Sequence, residues 1–209
     1  MKRGIFIVID GLDGAGKTTA IEHLKKVFAG RDDVVFTREP GGTPEAEELR
    51  EFFLRTREQP LEKATEILLV EAARAEHLAK VIVPALLDEK LVICDRFDVS
   101  TYVYNVPKDD TSLESLFRET NRRVVGSSAP DCYIFLNLPP HVSLERSRGR
   151  GDETRFDEAS LEAYFERRTR YMDFFNFAFN SNVKIVDAEQ SIAAVCAEVE
   201  LCVLNFCRE

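Results

Sequence analysis

The segment Gly11-Leu12-Asp13-Gly14-Ala15-Gly16-Lys17-Thr18 fits the pattern GxxxxGK[ST]. A short apolar run at 5–9 leads into it and a helical pattern over 17–29 leads out. A strand that turns through glycines into a helix aims its backbone N–H groups at one point, and the helix N-terminus adds a field that favours anions. Lys17 is expected to reach the β- and γ-phosphates of a nucleotide, and Thr18 to ligate Mg²⁺. Gly11, Gly14, Ala15, Gly16 and Thr19 complete the expected nucleotide cradle. By itself the loop means a phosphate binder, and GTPase, ATPase and small-molecule kinase all remain open.

Strand-length apolar runs recur at 34–37, 91–94, 133–136 and 184–186. They are continuous instead of alternating, as strands covered on both faces are. Helical patterns lie between them at 44–56, 61–87, 98–105 with 112–126, 141–148 and 157–180, and a last one runs 190–207. Strands alternating with helices imply right-handed crossovers and a parallel sheet. The expected fold is α/β, a three-layer P-loop architecture with a five-stranded parallel sheet, in one domain spanning 1–209. Ligands of such sheets bind beyond the carboxyl ends of the strands, where the motifs fall.

The chain carries 28 Lys and Arg against 37 Asp and Glu, a net charge of −9, which argues against a general nucleic-acid binder. Its five cysteines include no CxxC pair and read as buried free thiols of a reducing compartment. No apolar run reaches the roughly 18–20 residues of a membrane span, so no membrane partner is expected. A cytoplasmic protein is the reading.

The sequence holds no NKxD base-recognition motif, which turns the reading from GTPases toward kinases. The run at 91–94 ends in Asp95-Arg96, where an aspartate can orient Mg²⁺ or its waters and an arginine can grip a phosphate. Arg146, Arg148, Arg150 and Arg155 crowd ten residues of an acidic chain, with Gly149 and Gly151 between them. A mobile arginine lid over about 147–156 would neutralise charge on a transferred phosphoryl group and exclude water. Arg38 follows the second run and precedes a proline-glycine turn, a place from which to hold an acceptor phosphate. An acceptor that is itself a phosphate needs no strong base.

Together these pieces resemble the thymidylate kinase family. The likeness runs through GLDGAGKTT, TREPGGT at 37–43, AAR at 72–74, DRFDVST at 95–101, PDCYIFLNLPP at 130–140, RSRGRGDETRFD at 146–157 and DAEQS at 187–191. It implies transfer of the ATP γ-phosphate to dTMP, giving dTDP and ADP, with Mg²⁺ held through Thr18 and Asp95. By the same likeness Asp13 faces the acceptor sugar or the phosphate–metal cluster. Arg38 and Arg96 hold the acceptor phosphate, and Val70 and Arg74 face the base. Ser100, Thr101 and Tyr104 line base and deoxyribose, and Arg148, Arg150 and Arg155 act from the lid. In this family an arginine in the phosphate loop can replace lid arginines. Here Gly14 and Ala15 stand in the loop and the lid is basic, which resembles the bacterial type. A homodimer is implied as well.

The departures gather on the acceptor side. The family's thymine-stacking Phe is replaced by Val70, Tyr102 brings a ring near the pocket, and 105–110 lacks the usual polar-Gly turn. A kinase for a modified deoxypyrimidine monophosphate such as 5-hydroxymethyl-dUMP is therefore the first alternative. A deoxynucleoside kinase using Glu39 as base is the second, and a non-catalytic nucleotide-binding protein the third. Phe174, Phe175, Phe177 and Phe179 read as core or dimer packing. Tyr171 reads either as near the phosphates or as a helix-surface residue. Glu45, Glu47 and Glu48 read as a solvated helix face.

Overall fold

The apolar runs become five parallel strands: β1 (Ile5–Gly11), β2 (Val34–Arg38), β3 (Leu91–Asp95), β4 (Cys132–Asn137) and β5 (Asn182–Asp187). They lie in the order β2-β3-β1-β4-β5. The computed structural model describes residues 3–149, 160–177 and 182–207. Its helices are α1 (Lys17–Val27), α2 (Pro44–Leu54), α3 (Lys63–His77), α4 (Val83–Leu87), α5 (Asp98–Asn105), α6 (Thr111–Val125), α7 (Pro140–Arg148), α8 (Leu161–Phe177) and α9 (Ile192–Phe206).

Side chains of β1 alternate between two cores, as the strand period requires. Phe6 and Val8 pack with Leu78, Ile82, Phe97, Phe135 and Tyr171 on one face of the sheet. Ile7 and Ile9 pack with Leu24, Val195, Val199 and Val203 on the other. Each such side chain, taken fully from water, contributes about 1.5–3 kcal/mol. Phe6 also meets Phe97 edge-on at 5.1 Å.

The register decides where the site lies. Arg38 of β2 pairs with Asp95 of β3, and Asp95 pairs with Ile9 of β1. Gly11 pairs with Leu136 of β4. The phosphate loop, Arg38 and Asp95-Arg96 thus leave the sheet at one edge and one level.

Three expectations need correction. The pattern at 61–87 is not one helix: α3 ends at His77, a π-helical turn covers Leu78–Ile82, and α4 follows. Pro84 has no N–H to give and its ring crowds the carbonyl four residues back, so the widened turn absorbs the fault. The outer strand β5 is not covered on both faces, and Ile185 is 48% exposed. The cysteines are free but not all buried: Cys94, Cys132 and Cys196 are, while Cys207 is exposed.

Candidate active site

The start of α1 has no side-chain cap and no acidic residue in its first turn. By contrast Thr43 caps α2 through the Ala46 N–H at 3.1 Å, and Ser191 caps α9. The first N–H groups of α1 are left for an anion. Lys17 folds over the loop, donating from Nζ to the Gly11 and Leu12 carbonyls at 2.9 Å each. Burial, and next the nearby Arg96, push its pKa down to about 8, against the pull of Asp13, Asp95 and Asp10. Thr18 and Thr19 are exposed and face the cleft. Ala15 is buried beneath the loop. Ser143 of α7 donates its hydroxyl to the Asp13 carbonyl, which ties the loop to that helix.

Beneath the loop lies a cluster built on Asp10, a residue the sequence reading passed over. Asp10 is fully buried. Its carboxylate accepts from Ser100 Oγ at 2.9 Å, from the Tyr171 hydroxyl at 2.8 Å and from the Gly11 N–H at 2.8 Å. Burial raises its pKa, and Arg96 and Lys17 oppose that rise. Arg96 reaches Asp13 Oδ1 at 2.5 Å with Nη2 and Ser100 Oγ at 2.9 Å with Nη1. Its backbone sits at φ 67°, a left-handed setting that a non-glycine residue adopts at a cost and that marks functional turns. Burial pushes the Asp13 carboxyl up, but Arg96, Lys17 and a 3.0 Å hydrogen bond from Tyr104 together bring it below its usual value. Tyr171 is fully buried and stacks on Phe135 at 4.9 Å, so the helix-surface reading fails.

At the other end, Arg38 is half exposed and pairs with Glu47 at 2.9 Å. Glu47 also accepts from the Gly42 N–H at 3.0 Å, so it is half-buried against the turn after β2, while Glu45 and Glu48 are exposed. Arg50 of α2, also missed in the sequence, donates to the Pro40 carbonyl at 2.8 Å. Burial, and next Arg38, lower its pKa. Arg74 is fully buried over the Phe97 ring at 4.9 Å. It donates to Glu39 Oε2 and Thr101 Oγ1 at 2.8 Å each, and to Glu71. Val70 lies one helical turn earlier and lines the same cleft. Tyr102 does not: its ring packs against Phe117 at 5.9 Å and Phe174 at 5.5 Å, on the far side of α5. Phe174 and Phe175 join that core, while the Phe177 side chain and Phe179 lie outside the described residues.

The phosphate loop, Arg38, Arg50, Val70, Arg74, Asp95 and Arg96 line one cleft of about 690 Å³. Its wall holds Lys17, Arg38, Arg50, Arg74, Arg96 and Arg146 against Asp13, Glu39 and Asp95. Six cations to three anions, in a chain of net charge −9, make this a seat for polyanions. Asp95 Oδ1 is buried with no hydrogen-bond partner among the described residues, and Asp95 lines the same cleft as the exposed Thr18. Two hard oxygen donors, one of them unsatisfied, suit a Mg²⁺ ion or its waters. Of the expected lid, Arg146 lines the cleft, and Arg148 is exposed at the end of α7 and is not among the described lining residues. Arg150 and Arg155 lie outside the described residues.

A phosphate loop at the end of the central strand, with arginines at the ends of β2 and β3 in the same cleft, defines an ATP-dependent nucleoside monophosphate kinase of the P-loop class. The thymidylate kinase family model matches residues 9–199. The thymidylate kinase of Teredinibacter turnerae is 42% identical over 165 residues, covering 78% of this chain and 80% of that protein. The crystal structure of thymidylate kinase from Ehrlichia chaffeensis superposes with a TM-score of 0.73 at 29% identity, covering 96% of this chain and 98% of that one. The chain belongs to the thymidylate kinase family.

Proposed function

We propose that the protein transfers the γ-phosphoryl group of ATP to dTMP, giving dTDP and ADP. The observation that carries this is the pairing of two cationic ends in one cleft: Lys17 at the phosphate loop, and Arg38, Arg50 and Arg96 facing it. One end suits a triphosphate and the other a monophosphate. Asp13, Arg38 and Arg96 would orient the acceptor phosphate, whose oxygen is already anionic and attacks without a base. Glu39, the carboxylate a hydroxyl acceptor would need, is 3% exposed and held by Arg74 at 2.8 Å and His77 at 3.0 Å. That favours a phosphate acceptor over a deoxynucleoside.

Arg74, Ser100, Thr101, Tyr104 and Val70 would bound the base and deoxyribose, with Arg74 keeping one Nη2 hydrogen for the base edge. Thr18 and Asp95 would hold Mg²⁺, which when bound screens the β- and γ-phosphate charge. Lys17 and the lid arginines Arg148, Arg150 and Arg155 would stabilise charge on the moving phosphoryl group. Family membership, and Tyr102 turned away from the cleft, favour dTMP over a modified deoxyuridylate. A cytoplasmic homodimer is the form in which we expect it to act. No helix among the described residues is long and apolar enough to cross a membrane.

Coupled ADP production with ATP, Mg²⁺ and each of dTMP, dUMP, 5-hydroxymethyl-dUMP, dCMP and thymidine tests the reading. The highest kcat/KM is expected for dTMP. Preferred turnover of thymidine, or no acceptor-dependent ADP at all, would sink it.

A further inference from the structure

His77, the last residue of α3, is fully buried and is not among the described residues that line the cleft, yet it holds the turn after β2 from within. Its Nδ1 meets Glu39 Oε1 at 3.0 Å and its Nε2 meets Thr37 Oγ1 at 2.6 Å. An ionised Glu39 can only accept, so Nδ1 carries a hydrogen, and in the neutral ring Nε2 accepts from the Thr37 hydroxyl. Thr37 and Glu39 flank Arg38. Side chains alternate along an extended strand, so pinning those two inward turns Arg38 outward, where its side chain is 54% exposed toward Glu47.

Two further contacts link the same ring to the rest of the acceptor end. A β-carbon on Gly42 would fall 2.5 Å from His77 Nε2, and the backbone there stands at φ +91°, so the turn closes directly onto the imidazole. Glu39 spends its second oxygen on Arg74 Nε at 2.8 Å, and Arg74 Nη2 then reaches Thr101 Oγ1 at 2.8 Å. A continuous chain, buried except at Thr37, thus runs Thr37–His77–Glu39–Arg74–Thr101. It joins the turn that presents Arg38 to the arginine beneath the base.

We propose that His77 is a positioning residue for the acceptor. Its imidazole locks the turn after β2 and the Arg74 guanidinium in one mutual setting, so that phosphate and base are gripped at a fixed separation. No part of this chain passes through the phosphate loop, so the effect belongs to the acceptor and not to ATP. The inference rests on the acceptor being a nucleoside monophosphate.

The test is a split of Michaelis constants. His77→Phe keeps the bulk of the ring and removes both hydrogen bonds. It is expected to raise the KM for dTMP about tenfold while the KM for ATP stays within about twofold. His77→Gln, which can keep one bond, should recover part of the loss. Should His77→Phe fail to fold, Thr37→Val removes one hydroxyl at constant shape and is expected to raise the same constant about threefold. A lower Tm with the dTMP constant unmoved, or equal rises for both substrates, would overturn the proposal and leave His77 a structural residue. If the unaltered protein does not use dTMP, the functional reading fails on its own. The split is then read with the best acceptor of those assayed.

Discussion

A β-carbon on Gly14 would sit 2.6 Å from the Ser143 carbonyl oxygen, with the Arg146 β-carbon 3.1 Å away. The phosphate loop is pressed against α7 at this point, and its φ of +84° is open to glycine and costly for other residues. A side chain at position 14 has no room without moving α7, whose Arg146 lines the cleft.

Gly14→Ala should therefore displace the loop from α7. A cost on the order of 1–2 kcal/mol is expected from the backbone alone. The KM for ATP should rise several-fold while that for dTMP changes little. Thermal melts with steady-state kinetics in both substrates check this, and an unaltered ATP constant would refute it.

Lys17 has a pKa lowered from 10.5 to about 8 by burial and by Arg96. Above about pH 8 the empty loop therefore holds a neutral amine, while a bound triphosphate restores the ammonium form. ATP binding should take up a proton in that range, and affinity should fall as pH rises through it. Below about pH 8 the ammonium form is already present and no uptake is expected from this group. Calorimetry at pH 7 and pH 9, in buffers of different ionisation enthalpy, reads the difference directly. Lys17→Ala should abolish the uptake and lower kcat by about a hundredfold or more.

Tyr171→Phe removes a 2.8 Å hydrogen bond to Asp10 and a 3.1 Å contact to Ser100. The buried Asp10 carboxyl group loses a hydrogen-bond donor, which should cost about 1–3 kcal/mol. Each kcal/mol lowers Tm by about 2–4 °C in a chain this long. Calorimetric melting measures it, and a melt unchanged from the parent protein would contradict the buried role.

Val70→Phe adds a ring to the cleft wall beside Arg74. Stacking on a pyrimidine contributes about 0.5–1.5 kcal/mol, so the KM for dTMP should fall several-fold with kcat nearly constant. A higher KM would mean that the ring fills space the base needs.

Much of this was legible before any coordinates. Short strand-like runs located all five strands to within two residues of their observed ends; for the inner strands this is because a parallel sheet leaves little polar interruption inside a buried strand, whereas β5 is an exposed edge. The phosphate loop announced itself by spacing. What escaped was polar and buried. Asp10 sits directly before the motif, a charge at the end of an apolar run, and that anomaly was its signal. Arg50 carried none, since an arginine in an amphipathic helix is ordinary until the helix is placed. Tyr102 was read toward the pocket because its neighbours Ser100, Thr101 and Tyr104 line it; helical geometry turns it toward α6 and α8 instead.

The phosphate loop hangs from the central strand of the five, with β3 on one flank and β4 on the other. The amide protons of that strand, from Phe6 to Ile9, should exchange with solvent only when the whole sheet comes apart. On heating, then, this site should show no frayed intermediate in which ATP binding is lost and the fold remains. Loss of the enzyme and loss of the domain should trace a single curve, and its working lifetime should be set by the rate of global unfolding.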